Sequence, residues 1–435
     1  MLFCVQIVCA QEGFHFETNK NKISIPFQFI NNLIIIPIEV NGVSMSFLLD
    51  TGVEDSILFS LDETDEVRFS QVEKIKIKGL GSNNSFEGFK SNHNKLSINN
   101  YTDLNHAIYL VLDQNINISA QVGFPVNGII GYHFFENNLV KINYTNKKIT
   151  VYNTASKALK SIKKDFVEQP IELIQNKPYI TCQAYFEDEQ KPVATKLLLD
   201  TGNSDALWFF KQSDDKIVIP KSNIDDYLGR GFSGDVFGKR GKIKALQINN
   251  FKFSNPLASF PDTLSTTNVD KNIGRGGSIG SDIIRRFTIV LDYKSNRVYL
   301  KKNSQFDDPF NINMSGIEIQ HKGLQWISEG YEENPTINNN FYNSNGDKMA
   351  NNFKYKFELK PIYVITSIRK NSPGDSAGLQ KEDVIVKIDG KNGYNFSLQQ
   401  INELLKSEEG KIVEFEIDRK GKIMKFKIQL KDVLE

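Results

Sequence analysis

Short runs of β-branched and aromatic residues, separated by turns, recur along the first three hundred residues of the chain. Residues 33–40 form one such run, Asn41 and Gly42 follow, and residues 43–49 return as a second run. The Asn-Gly pair is the strongest short hairpin signal, because both turn positions require a positive φ. The pattern therefore predicts two paired strands, the second of which ends at Asp50.

The triplet that begins at Asp50 recurs 150 positions later, at Asp200. A single Asp-Thr-Gly triplet is typical of many turns that follow strands. Here, however, other features keep nearly the same offset in both halves of the chain. They are glycine-rich turns at 79–81 and 229–231, Ile-Gly pairs at 130–131 and 279–280, and strand patterns at 139–144 and 288–293. A shared register of this kind predicts two homologous β-rich lobes.

We place the lobes at residues 14–156 and 165–303, with the lysine-rich segment 157–164 between them. After the lobes the composition and the hydrophobic pattern of the sequence change. Residues 330–353 are rich in Asn, Glu, Gly and Ser and show little periodicity. This composition predicts a long loop, which we interpret as an insertion around 325–353 of a third domain, residues 312–435.

The third domain has mixed periodicity. Strand patterns at 363–368 and 383–388 flank a turn and short helix at 372–379. Ser397 and Gln400 have the spacing of a helix capping box, and Leu398, Ile401 and Leu405 then fall on one helical face. We therefore expect a small α+β domain that follows two β lobes.

Composition excludes several classes of function. The chain has 53 basic and 52 acidic residues, a net charge of +1, so there is no electrostatic reason to expect nucleic-acid binding. No apolar run reaches the ~18 residues of a membrane span. The cysteines and histidines show no metal-binding spacing. We expect neither a metal nor another cofactor.

Residues 1–10 are apolar and end in the small residues Cys9 and Ala10. They resemble the last part of a secretory signal whose basic beginning is missing, so the signal would be truncated. This predicts an exported protein, in the periplasm, at the cell surface or secreted. A first strand or a disordered tail is the alternative interpretation.

The repeated triplet has a chemical interpretation. Two carboxylates held close together share one proton, so one can accept a proton from water while the other donates to a carbonyl or a leaving amine. Asp50 and Asp200 are the predicted pair. The supporting loop residues are Thr51, Gly52, Thr201, Gly202 and Asn203. The glycines would admit backbone N–H groups to the carboxylates, and the threonines would hydrogen-bond across to the opposite loop.

The other glycine landmarks have expected roles as well. A glycine after an apolar strand suits a close backbone crossing behind a catalytic loop, and a glycine-rich hairpin suits a mobile flap over substrate. The predicted crossing residues are Ile130, Gly131, Ile279 and Gly280. The predicted flap residues are Gly79, Leu80, Gly81, Gly229, Arg230 and Gly231.

These motifs, at residues 47–59, 197–209, 128–152 and 277–301, resemble the aspartic peptidases of the pepsin and retropepsin superfamily. The resemblance covers residues 14–303 and implies a bilobal acid-protease β-barrel fold with an extended peptide between the lobes. Asp50 and Asp200 match the catalytic pair. The family usually has Ser, Thr or Ala after the triplet, whereas this chain has Val53 and Asn203. Val53 offers no side-chain hydrogen bond, so the environment of Asp50 is expected to be unusual.

The tail resembles a bacterial PDZ domain, through the segments 372–379 and 383–390. That resemblance implies capture of a C-terminal peptide by strand addition beside a helix. We expect the helix at about 398–406, with Leu398, Ile401 and Leu405 at the groove, and the strand at about 354–360. A PDZ fold that binds no peptide is the alternative.

The sequence thus favours an aspartic endopeptidase that hydrolyses peptide bonds with water activated between two Asp carboxylates. Peptide or protein substrates, and a C-terminal peptide ligand of the PDZ-like module, would be its partners. A non-catalytic peptide-binding or scaffold protein that keeps the peptidase fold is the alternative. A glycosidase with two carboxylates fits poorly, because it predicts neither the paired glycine-rich flaps nor the tail.

Overall fold

The structure is a computed structural model, and it describes residues 13–61, 66–78, 85–111, 117–153, 155–187, 191–231, 234–266, 273–331 and 354–434. The N-terminal segment 1–10 and the predicted flap residues Gly79, Leu80 and Gly81 lie outside the described residues. The chain is mostly β, and its two lobes are followed by a small α+β domain. The predicted fold class is therefore confirmed.

The described residues of the first half of the chain form twelve strands. They are β1 His15–Phe16, β2 Lys22–Pro26, β3 Gln28–Ile30, β4 Leu33–Val40, β5 Val43–Leu49, β6 Ser56–Leu58, β7 Val72–Lys78, β8 Ser85–Ile98, β9 Tyr101–Leu110, β10 Gly128–Ile130, β11 Leu139–Asn143 and β12 Lys148–Tyr152. Nine of them form one sheet, in the order β1-β9-β6-β10-β5-β4-β8-β7 with β3 beside β4. The β4–β5 hairpin turns at Asn41 and Gly42, with φ of 50° and 90°, as the Asn-Gly signal predicted.

The second half repeats this design. Its strands are β13 Val167–Pro170, β14 Glu172–Ile174, β15 Lys177–Tyr185, β16 Val193–Leu199, β17 Leu207–Phe209, β18 Asn223–Gly231, β19 Gly234–Lys242, β20 Ala245–Ile248, β21 Phe251–Ser254, β22 Leu257–Pro261, β23 Gly277–Ile279, β24 Phe287–Asp292 and β25 Arg297–Lys302. A ten-stranded sheet has the order β18-β19-β22-β17-β23-β16-β15-β20-β21, with β14 beside β15.

A third sheet joins the halves. Its order is β13-β25-β24-β11-β12-β2, and the antiparallel β11–β24 pair lies at its centre. The helices of the two halves are α1 Ile118–Val122, α2 Tyr132–Phe135, α3 Ala155–Asp165 and α4 Ser281–Ile284, with 3-10 turns at Lys211–Ser213 and Thr263–Thr266. The lysine-rich connection is thus helix α3, which packs through Ile162 and Leu159 against the joining sheet. One hydrophobic core runs through both lobes.

The C-terminal domain contains β26 Ile317–Tyr331, β27 Lys354–Ile368, helix α5 Pro373–Ala377, β28 Val384–Ile388, β29 Lys391–Asn392, a 3-10 turn Gly393–Asn395, helix α6 Leu398–Leu405, β30 Ile412–Arg419 and β31 Lys422–Gln429. The sheet order is β26-β27-β28-β30-β31, with β29 beside β28. The capping box of α6 is present. Residues 325–331, at the start of the expected insertion, continue β26 and pair with residues 354–360.

Candidate active site between the two lobes

The two Asp-Thr-Gly loops are positioned by identical strand arrangements. In lobe 1, β5 lies parallel to β10, and the Asp50 amide donates to the Ile130 carbonyl at 2.9 Å. In lobe 2, β16 lies parallel to β23, and the Asp200 amide donates to the Ile279 carbonyl at 2.9 Å. Each aspartate therefore leaves the end of a buried strand at a fixed point.

Gly131 and Gly280 lie where the chain passes behind these loops. A Cβ atom on Gly131 would lie 2.1 Å from the Val53 carbonyl oxygen, and one on Gly280 would lie 2.2 Å from that of Asp205. Such distances are far inside van der Waals contact, so no side chain fits at either position. The four predicted crossing residues thus lie directly behind the two loops.

The threonines of the two loops form hydrogen bonds that connect one loop to the other. The Thr51 amide donates to Thr201 Oγ1 and the Thr201 amide to Thr51 Oγ1, each at 3.0 Å. Each hydroxyl then donates to the strand of the opposite lobe, Thr51 to the Leu199 carbonyl at 2.5 Å and Thr201 to the Leu49 carbonyl at 2.8 Å. Four hydrogen bonds in a fully buried position fix one loop relative to the other.

The carboxyl groups of Asp50 and Asp200 lie close together, next to these threonine hydrogen bonds. The Gly52 amide donates to Asp50 Oδ1 at 2.7 Å, whereas the Asp200 Oδ1 atom accepts from the Gly202 and Asn203 amides at 3.2 and 3.1 Å. A Cβ atom on Gly52 would lie 2.9 Å from Asp200 Oδ1 and 3.0 Å from Asp50 Oδ1. The glycine therefore leaves room for two acidic oxygens that face each other.

The environment favours one shared proton. Burial, and next the charge of Asp200, raise the pKa of Asp50 to about 8. Burial also raises the pKa of Asp200, but the Arg275 guanidinium and the amides of Gly202 and Asn203 oppose that effect. Fewer groups stabilise the anion of Asp50 than that of Asp200, so this environment favours the proton on Asp50 and the negative charge on Asp200.

The departure at Val53 and Asn203 contributes to this difference. The Asn203 amide donates to the carboxylate of Asp200, whereas the Val53 amide is directed to the backbone carbonyl of Asp50 at 3.5 Å. The Val53 side chain packs against the apolar cluster of Ile35 and Leu48. Lobe 1 thus provides its aspartate with less hydrogen bonding than lobe 2 does.

The predicted flap residues of lobe 2 lie on the β18–β19 hairpin. Gly229 has φ of 136° and stands at a bulge in the pairing, and Arg230 forms an ion pair with Asp235 at 3.1 Å. In lobe 1 the β7–β8 hairpin has the corresponding position, although its predicted glycines lie outside the described residues.

A second group of reactive residues was not predicted from the sequence. His106 Nε2 lies 2.7 Å from Ser56 Oγ, and His106 Nδ1 lies 2.7 Å from Asp103 Oδ2. This is the hydrogen-bond order of a Ser-His-Asp triad. All three side chains, however, are at most 2% exposed, so a substrate has no access to the Ser56 hydroxyl. The group is a buried link between β6 and β9.

We expect Ser56→Ala to change peptide hydrolysis by less than about threefold, because a buried link contributes to stability and not to chemistry. The measurement is kcat/KM of the variant and of the wild type, together with their sensitivity to a serine-directed fluorophosphonate. A loss of more than about a hundredfold, or inactivation by the fluorophosphonate, would instead assign the chemistry to Ser56.

The expected peptide groove of the C-terminal domain is arranged differently from the prediction. Residues 354–360 of β27 pair with β26, whereas β28 pairs with β27 only at Tyr363 and Val364, and β26 is an edge strand of the described sheet. Leu398, Ile401 and Leu405 are at most 1% exposed and belong to the domain core. Lobe 1 lies over this side, because α1 packs against β26, Gly123 contacts Leu398, and Asn402 donates to Asn31 at 3.2 Å.

Among the described residues, no helix is long and apolar enough to cross a membrane. Within the same part of the chain, no group of three or more His, Cys, Asp or Glu side chains is arranged to hold a metal ion.

Comparison with known proteins gives three results. Over 75 residues the chain is 39% identical to a probable CtpA-like serine protease of Staphylococcus haemolyticus (strain JCSC1435), a match that spans 16% of this chain and 15% of that protein. The crystal structure of an aspartic proteinase from Irpex lacteus matches with a TM-score of 0.41 and 14% identity, and covers 67% of this chain and 100% of that one. Residues 364–419 match the model of the PDZ domain family. The C-terminal domain is therefore a PDZ domain.

Proposed function

We propose that this protein is an aspartic endopeptidase whose PDZ domain brings peptide or protein substrates to the catalytic lobes. One observation carries the proposal: Asp50 and Asp200 meet at the junction of two equivalent lobes, with environments that leave one proton between them. A structural turn has no need of two buried, mutually facing carboxyl groups, since their repulsion and desolvation cost stability.

The pair can perform the whole reaction. Asp200, as the carboxylate, accepts a proton from a water molecule while the water oxygen bonds to the peptide carbonyl carbon. Asp50 donates its proton to the carbonyl oxygen, which gives a neutral tetrahedral diol. The proton on Asp200 then passes to the leaving nitrogen as the C–N bond breaks, and Asp50 recovers its proton from the diol hydroxyl. Atoms and charges balance, and the pair returns to its starting state.

The PDZ domain supports the substrate class. Such domains bind extended peptides by strand addition, and β26, which contacts helix α6, is one of the two edge strands of the described sheet. Because lobe 1 covers the helix side of that edge, a peptide that binds there would displace α1. We also propose export, as the apolar N-terminal residues 1–10 indicate.

The test is cleavage of an unbiased peptide mixture by the full chain from about pH 3 to about pH 9, with and without an inhibitor that carries a hydroxyl in place of the tetrahedral carbon's diol. We expect cleavage that this inhibitor blocks. Peptide binding without cleavage at any pH would favour the alternative, a peptide-binding protein that keeps the fold. Cleavage that resists the inhibitor would contradict the aspartic mechanism.

A further inference from the structure

A continuous series of ion pairs leads from the PDZ domain to the second catalytic loop. Arg369 of the PDZ domain lies 3.5 Å from Asp226 on β18, and Asp226 lies 2.9 Å from Arg240 on β19. Arg240 also pairs with Asp205, three residues beyond the Asp-Thr-Gly triplet, at 2.9 Å. The side chains of Arg369, Asp226 and Arg240 are at most 10% exposed. Pairs so well shielded from water are weakly screened by salt.

Asp205 connects this series to the catalytic carboxylate. Its amide donates to Asn203 Oδ1 at 3.0 Å, and the Asn203 amide donates to Asp200 Oδ1 at 3.1 Å. The Asp205 carboxylate also accepts from Trp208 Nε1 at 2.8 Å and from Ser259 Oγ at 2.9 Å. A shift of Arg240 would therefore move the segment that holds Asp200.

Near Arg369, the PDZ domain makes further contacts with lobe 2. Asp432 pairs with Lys242 of β19 at 2.8 Å, and Leu257 of lobe 2 is part of the PDZ core. Arg369 also donates to the Asn313 carbonyl at 3.2 Å, which fixes its guanidinium beside the hairpin. The PDZ domain and lobe 2 thus share an interface with polar and apolar contacts, and the β18–β19 hairpin is part of it.

The first lobe offers an internal comparison. At the same offset of 150 positions, Asp55 corresponds to Asp205 and Lys90 to Arg240. Burial opposes the ionisation of both aspartates. In lobe 2 burial is the largest single influence on Asp205, but the charge of Arg240 and the hydrogen bonds from Arg240, Trp208 and Ser259 together outweigh it and lower the pKa of Asp205. In lobe 1 burial and the charge of Glu54 raise the pKa of Asp55. The tight ion pair is a property of lobe 2, whose β18–β19 hairpin contacts Arg369 of the PDZ domain.

We propose that Arg240 is a positioning residue for the loop of Asp200, and that Arg369 extends this control to the PDZ domain. Seating of the PDZ domain on the hairpin then sets the geometry of half of the catalytic pair. The kinetic part of the test rests on the proposed peptidase function, and a spectroscopic part does not.

Trp208 supplies the spectroscopic readout. The chain has two tryptophans, and Trp326 is 69% exposed, so Trp326→Phe leaves Trp208 as the only reporter. In that background we expect Arg240→Met and Arg369→Gln to change the emission maximum and acrylamide quenching of Trp208. Arg369→Lys should restore both. Arg297→Gln, which removes an exposed ion pair with Glu168, should change neither.

The kinetic part separates positioning from binding. We expect Arg369→Gln to lower kcat by about threefold to tenfold with little change in KM, because Asp226 keeps its pair with Arg240, and Arg369→Lys to recover most of the loss. Unchanged Trp208 emission in folded Arg369→Gln would overturn the coupling, whether or not the protein cleaves peptides. If Trp208 responds and the wild type cleaves nothing, the coupling stands and the peptidase proposal fails.

Discussion

Replacing Asp200 by Asn is expected to abolish peptide hydrolysis, with a loss on the order of 10⁴-fold in kcat. Asn cannot accept the proton of the attacking water, and no other described carboxylate lies beside Asp50 in its place. Asp50→Asn should cause a loss of similar size, because it removes the proton that stabilises the developing oxyanion. The measurement is kcat on the best substrate from the peptide mixture, at the pH of maximal wild-type activity.

Asp225→Asn is the matched control. Asp225 lies in the same lobe, is 87% exposed and, among the described residues, forms an ion pair with Lys239, so its replacement should leave kcat within about twofold. A melting temperature of the Asn variants no lower than that of the wild type would exclude unfolding as the cause of inactivity. A loss of less than about tenfold in either dyad variant would contradict the assignment.

Local patterns were sufficient to predict the strands and the two loops. The Asn-Gly turn, the apolar run before each aspartate and the glycines behind them are all short-range signals, and each has a steric reason that the sequence displays. Residues 325–331, which we assigned to the insertion, continue β26, although their sequence has no regular alternation of apolar and polar residues that would indicate a strand. Helix α3 was missed for a similar reason: its lysines conceal a narrow apolar stripe.

The hydrogen-bond and ion-pair networks of the side chains could not be predicted from the sequence. His106 reaches Ser56 across fifty positions, and Arg369 reaches Asp226 across 143. Such contacts depend on the sheet order and on how the PDZ domain sits on lobe 2, and neither follows from local periodicity. The repeat did contain one usable signal: Arg240 and Lys90 share an offset with Asp205 and Asp55.

The environment of the predicted peptide groove could not be predicted from local sequence patterns either. The helix of the PDZ domain was located correctly, yet its apolar face points into the domain core, and lobe 1 covers the neighbouring space. Both lobes thus contact the PDZ domain, lobe 1 through α1 at β26 and lobe 2 through the β18–β19 hairpin at Arg369. If the proposed coupling holds, a peptide that displaces α1 would loosen the contact with lobe 1 and leave the contact with lobe 2.

Asp50→Asn is expected to make the folded protein more stable at pH 7.5 and to have little effect near pH 4. The pKa of Asp50 is about 8 in the folded state, against 3.8 as its ordinary value. Between these values the folded state binds more protons than the unfolded state, so the contribution of this group to stability is present below about pH 4 and is lost as the pH rises to about 8. Asn does not ionise, so the variant does not lose this stability as the pH rises. Its free energy of unfolding near neutral pH should exceed that of the wild type by roughly 2–4 kcal/mol.

The measurement is the free energy of unfolding from urea titrations at about pH 4.5 and about pH 7.5, for the wild type, Asp50→Asn and Asp225→Asn. Asp225 is exposed, so its variant should follow the wild type at both pH values. The informative quantity is the difference between the two pH values, because cavity and hydrogen-bond effects of the substitution are present at both. An equal change at both, or a loss of stability confined to pH 7.5, would show that Asp50 is ionised at neutral pH. The shared proton, and with it the division of roles between Asp50 and Asp200, would then have to be abandoned.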